Sequence, residues 1–335
     1  MPKPRKLQIS LEATPYYHCV SRCVRRAFLC GKDFTTGRSY EHRKHQIEHD
    51  LLKTATIFFI DIAAYAVLSN HYHVVLHVDS EACKQASSKD IIRRWHQVYK
   101  GNALSHRFLD GESLEPHELN QVTVLIETWR SRLFNISWFM KVINERIARQ
   151  ANKEDECTGH FWESRYKSQA LLDEKAVLSA IAYVDLNPIR SATASTPEKS
   201  DHTSIKLRIE CWKNGLDKNR NDSSSGLQPK SLMPFSEKLS EPVSHCLNFN
   251  LIDYIKLVES TGRIIQNGKR GAISPDTPPI LQRLNISTDH WVDLSTNFER
   301  RFKGIAGASE SIKNLKAYFG LTRHVNRSNS ETLYS

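Results

Sequence analysis

The chain has 335 residues, 39% hydrophobic and 25% charged, an ordinary balance for a globular protein with room for two domains or one large catalytic domain with an appendage. Its 47 Lys and Arg against 37 Asp and Glu leave a net charge of +10, which is compatible with an anionic partner and equally with a basic protein that binds no nucleic acid. No apolar run reaches the ~20 residues of a membrane span. "MPKPRKLQIS" lacks the apolar core of a signal peptide, and seven cysteines without an export signal suggest reduced thiols in the cytoplasm.

In chain order, "TPYYHCVSRC" (14–23) predicts a strand, rich in aromatic and β-branched residues. Cys19, Cys23 and Cys30 lie near one another with His18 alongside. No second CxxC or HxxxH completes a zinc pattern, so core packing is expected of them. "SYEHRKHQIEHDLLKTA" (39–55) predicts a helix through Ile47, Leu51 and Leu52. "TIFFIDIAAYAV" (56–67) predicts a buried strand, and "HYHVVLHV" (71–78) its hairpin partner. Ser88 is placed to cap a short helix with Ile91, Trp95 and Val98, and 101–130 reads as a less regular insertion. "NISWFMKVINERIARQANK" (135–153) is amphipathic, with Ile136, Phe139, Ile143 and Ile147 on one stripe. "RYKSQALLD" (165–173) then predicts a strand and "EKAVLSAIAYVDLNPIR" (174–190) a helix stopped by Pro188.

That order is the α+β, ferredoxin-like βαββαβ arrangement with one extra C-terminal helix. An antiparallel sheet with helices mostly on one face would leave its other face open for a ligand. The polar stretch 213–245, rich in Ser, Pro, Asn and Gly, reads as a linker. It separates a catalytic domain over 1–212 from a small, mainly helical accessory region over 246–335, whose last residues read as a loose tail.

His71 and His73 are two apart on a strand and project to one face, where two imidazoles can share a metal ion. His77 shares the face but lies about 13 Å from His73 at ~3.3 Å per residue, too far for the same ion. On the helix after 173, Val177, Leu178, Ile181 and Val184 form the core stripe, while Tyr183 and Asn187 lie one turn apart off it. Ala176 and Ala180 precede them on the same stripe, leaving room beside the tyrosine.

The joint pattern of "PYYHCVSRCVRRAF", "AYAVLSNHYHVVLHV", "FWESRYKSQALL" and "YVDLNPIR" resembles the single-tyrosine HUH transposases, in particular the REP-associated tyrosine transposases. The resemblance spans roughly residues 14 to 191. It implies His71, His73 and Asn187 as ligands of a divalent metal, Mg²⁺ or Mn²⁺, and Tyr183 as the nucleophile. It further implies cleavage and rejoining of single-stranded, hairpin-associated DNA through a 5′-phosphotyrosine. The role of 246–335 is not carried over.

Arg22, Arg25, Arg26, Arg165 and Lys167 are candidates for phosphate contacts. Trp162 and Tyr166 are candidates for stacking on bases or for the core. "GRIIQNGKRG" (262–271) adds Arg263, Lys269 and Arg270 as possible backbone contacts. No membrane and no small-molecule cofactor is expected, and monomer and homodimer stay open. The competing readings are an HUH replication initiator or relaxase, disfavoured by the lack of a GxxxxGK[ST] loop, and a domesticated, non-enzymatic DNA-binding protein. A zinc hydrolase lacks its HExxH.

Overall fold

A computed structural model describes residues 4, 7–24, 29–32, 37–218, 227–236, 245–267, 279–320 and 326–334. It begins with β1 (Tyr16–Arg22), α1 (His42–Ile57), β2 (Ile60–Val67) and β3 (His71–Val78). The helices α2 (Ser80–Gln85), α3 (Ser88–His96), α4 (Ala103–Asp110), α5 (Pro116–Leu133) and α6 (Ile136–Glu154) then lead to β4 (Lys167–Leu171). The tyrosine-bearing α7 (Glu174–Asp185) follows, then α8 (Asn187–Arg190) and α9 (Ser204–Lys218). The C-terminal region contributes α10 (Leu251–Asn267), α11 (Pro279–Arg283), α12 (Thr288–Arg301), β5 (Ile305–Ala306), α13 (Ser309–Leu315) and α14 (Arg327–Leu333). Among the described residues no helix is long and apolar enough to cross a membrane.

The strands lie in the order β2-β3-β1-β4-β5. The first four pair antiparallel, so each crossover skips one strand, and this is the split-βαβ order that the sequence predicts. The helical insertion is regular rather than irregular. Asn102 and Ser105 form a reciprocal capping box for α4, Gly111 ends it at φ 78°, and Pro116 opens α5. These caps were the sequence signal that the irregular reading overlooked.

Alternation along the strands divides the side chains between two cores. Tyr17, Cys19, Tyr72, Val74 and Leu76 face α1, α5 and α6, and Cys23 and Cys30 join that core as expected. Ala63, Ala64, Ala66, Val75 and Leu171 face the other way, against α7 and the C-terminal helices. The second face is therefore covered, because α12 lies along α7 and β5 extends the sheet beside β4. Ala176 and Ala180 are fully buried, so the room expected beside the tyrosine is filled.

Two further expectations change. Part of the stretch read as a linker is built into this core: Leu232, Met233 and Phe235 are buried. A bulge in β2 between Ile62 and Ala64 leaves carbonyls unpaired within the ladder. The Met233 amide donates to the Ile62 carbonyl at 2.9 Å, and buried Arg208 donates to Ala63 at 3.0 Å. The supposed loose tail forms α14, with Leu333 and Tyr334 buried and the Tyr334 ring stacked on Phe302 at 5.3 Å.

Candidate active site

The site forms where the second sheet face meets the end of α7. Register places Val20 opposite His73 and Arg22 opposite His71, and Gln169 of β4 opposite His18. His18, His71, His73 and Gln169 thus share one face. The His71 and His73 ring centroids are 4.8 Å apart, the side-by-side arrangement expected from their spacing. Pro188 follows Asn187 at the start of α8, ending α7 and swinging Asn187 back toward the sheet.

The polar groups form a directed chain. Asn187 Nδ2 donates to His73 Nε2 at 3.0 Å, which puts the His73 proton on Nδ1. That proton is donated to His18 Nε2 at 3.0 Å, and His18 Nδ1 donates in turn to Gln169 Oε1 at 3.1 Å. Gln169 Nε2 closes the chain on the Phe302 carbonyl at 2.7 Å. The assignment needs both imidazoles neutral, and burial pushes the His18 and His73 pKa values below the ordinary range. His71 donates from Nδ1 to the Asn70 side-chain oxygen. Burial first, then the Arg22 charge, hold it at about 4.

Tyr183 is 8% exposed, with its ring centroid 5.9 Å from His73. Its hydroxyl donates to Glu299 Oε2 at 3.1 Å. The Arg190 guanidinium lies over the ring, 3.6 Å from its centroid, and is tied to α12 through the Thr296 carbonyl at 3.0 Å. Burial raises the phenol to about 12, with Arg190 opposing and Glu299 adding to the shift.

His18, Glu299, Arg190 and Gln169 are site residues that sequence reasoning missed. His18 carried a weak signal, the alternation that puts it on the same face of β1 as Val20. Glu299 carried none, because it lies 116 positions beyond Tyr183.

The donor set suits a divalent cation. His71 and His73 each commit Nδ1–H to a neighbour, which fixes ring orientation; His71 Nε2 is left to an ion, and an ion at His73 Nε2 takes the place of the Asn187 N–H contact. Asn187 sits against His73 Nε2 with an amide whose oxygen could serve. A second combination, His18, His73 and Glu299, offers ligand atoms all within 4.8 Å of one another. Its His18 and His73 nitrogens are all engaged in the chain described above.

Arg165 and Lys167 are exposed and line a cleft of about 650 Å³ with His18, Gln169, Glu299 and Lys303. A second cleft of about 910 Å³ shares Ser164, Arg165 and Tyr166 with the first and adds Lys141, His160 and Trp162. Arg22 is exposed beside the site. Arg25, Arg26, Lys269 and Arg270 lie outside the described residues. Tyr166 is buried, its hydroxyl 2.9 Å from Ser137 Oγ. Trp162 is half-buried, its indole donating to the Asn144 carbonyl at 2.8 Å.

No family model matches the chain, and no curated protein matches it. Among solved structures it is similar to a "REP associates tyrosine transposase bound to a REP hairpin", at 11% identity and a TM-score of 0.38, over 63% of this chain and 86% of that one.

Proposed function

We propose that the chain is a DNA nickase and strand transferase of the single-tyrosine HUH transposase type, acting on single-stranded, hairpin-associated DNA. The observation that carries this reading is the convergence of Tyr183 and Asn187 on the histidine pair of β3: the Tyr183 ring lies 5.9 Å from His73 and the Asn187 amide 3.0 Å from its Nε2. A buried tyrosine beside neutral imidazoles, hydrogen-bonded to Glu299 of a cleft also lined by Arg165, Lys167 and Lys303, suits a nucleophile for a phosphodiester.

The cleft cations hold the DNA backbone. Tyr183 attacks the scissile phosphorus, forming a 5′-phosphotyrosine and releasing a 3′-hydroxyl. The phenol proton passes to the Glu299 carboxylate, its hydrogen-bond acceptor, and a proton is returned to the departing 3′ oxygen. No phosphodiester energy is lost to water, so the 3′-hydroxyl can attack later and rejoin the strand. His71, His73 and Asn187 would hold Mg²⁺ or Mn²⁺, which supplies charge neutralisation at the phosphate. Glu299 lines the cleft and holds the Tyr183 hydroxyl.

The test is covalent capture of labelled hairpin DNA with Mg²⁺ or Mn²⁺ on denaturing gels. Tyr183→Phe should abolish the adduct while leaving DNA affinity within about twofold, since the hydroxyl supplies chemistry rather than a phosphate clamp. An undiminished adduct in that variant overturns the nucleophile. Binding without any adduct in the wild type would favour the non-enzymatic DNA-binding reading.

A further inference from the structure

His77 is the histidine of "HYHVVLHV" that the proposed reaction does not use. It lies six residues along β3 from His71, roughly 20 Å away at ~3.3 Å per residue. It is not an isolated polar residue. Asp61 is its cross-strand register partner, with Oδ2 3.0 Å from His77 Nδ1. His245 approaches from the end of the stretch 213–245, its ring centroid 6.2 Å from that of His77. Asp79, which caps α2 with Oδ1, places Oδ2 3.1 Å from His245 Nδ1. Among the described residues, neither Asp61 nor Asp79 has a Lys or Arg within ion-pair distance, in a chain whose net charge is +10.

From these contacts we propose that Asp61, His77 and His245 form a second divalent-metal site, of the zinc class, with Asp79 orienting His245. The ligand atoms of the three lie within 4.8 Å of one another. Zinc holds imidazole and carboxylate donors at ~2.0–2.2 Å, so tetrahedral neighbours sit roughly 3.3 Å apart, and binding requires the three to draw together by about 1–1.5 Å from the separation seen here. Two imidazoles with an anionic carboxylate are a ligand set that zinc takes. The Asp79–His245 contact is the carboxylate–imidazole pairing that fixes a ligand's tautomer and leaves Nε2 to the ion. His245 adopts φ 73°, a left-handed conformation unusual for a residue with a side chain, which a metal bond would help to hold. The ion would fasten the end of the stretch 213–245 to the end of the β2–β3 ladder. This inference is independent of the proposed reaction.

Zinc stoichiometry and affinity should be measured by calorimetry, with Co²⁺ absorbance reporting geometry, on the full chain, His71→Ala, His245→Ala, Asp61→Asn and Asp79→Asn. His245 is half exposed (51% of its side chain), so its substitution does not endanger folding. One zinc equivalent should persist in His71→Ala, giving the intense visible bands of tetrahedral Co²⁺. His245→Ala should remove that equivalent, and Asp61→Asn should weaken it about 100-fold or more. Asp79→Asn should weaken it about 10–100-fold, as an outer partner does. Zinc stoichiometry and affinity unchanged by His245→Ala and Asp61→Asn would overturn the site, as would loss of all zinc binding in a folded His71→Ala chain.

Discussion

At the residue scale, Glu299 and His71 give the sharpest tests. Glu299 raises the Tyr183 phenol through its charge, so Glu299→Gln should make that phenol more acidic. If Glu299 also accepts the attacking tyrosine's proton, the same change should slow adduct formation by about 10²-fold. The two effects oppose one another, so single-turnover rates decide: a faster variant would show that the carboxylate only shields the hydroxyl. His71 gives a pH prediction for the metal-free protein. Its pKa is about 4 in the fold against ~6.5 unfolded. Above pH 6.5 both states are neutral and the group contributes nothing. Between 6.5 and 4 the unfolded chain takes the proton and the folded chain does not, so stability is lost as pH falls. Melting temperature against pH should therefore fall less steeply in His71→Asn over that window. Equal slopes would count against a buried neutral imidazole. Asp185, raised to about 6 by burial, acts with the opposite sign but equally in both proteins.

At the element scale, α7 is held by its own last residue. Asp185 is buried and accepts from the backbone amide of Ile205 at 3.0 Å, capping α9, and from the Ser204 and Tyr254 hydroxyls. Buried Arg208 is attracted to it. Asp185→Ala would strand these donors and the Arg208 charge, so it should destabilise the chain by about 3 kcal/mol. Denaturant unfolding measures this, and a loss under ~1 kcal/mol would mean that water replaces the carboxylate. The helix itself was legible in the sequence, from the apolar spacing of Val177, Leu178, Ile181 and Val184 and from Pro188. The burial of every residue from Ala176 to Asp185 was not, because the residues covering its outer side come from α10 and α12, which local periodicity cannot pair with it.

At the scale of the whole molecule, the second core joins Ala64 and Val75 of the sheet to Tyr183, Trp291 and Phe298. Residues before and after the stretch 213–245 therefore share one interior. The chain should unfold in a single calorimetric transition, and Phe298→Ala, deleting a fully buried ring, should lower its stability by about 3–5 kcal/mol. Two transitions, with only the second shifted, would show separate units. The sequence by itself determined the strand order, the shared face of His71 and His73 and the helix that carries Tyr183, because each depends on spacings of a few residues and on the fixed periods of strand and helix; Asn187, expected on that same helix, instead opens the separate α8. Only the tertiary structure decided that His18 and Gln169 extend the histidine chain, that Glu299 meets the tyrosine hydroxyl and that the second sheet face is closed. Those contacts join segments far apart in sequence, and they are set by how two cores fill opposite sides of one sheet.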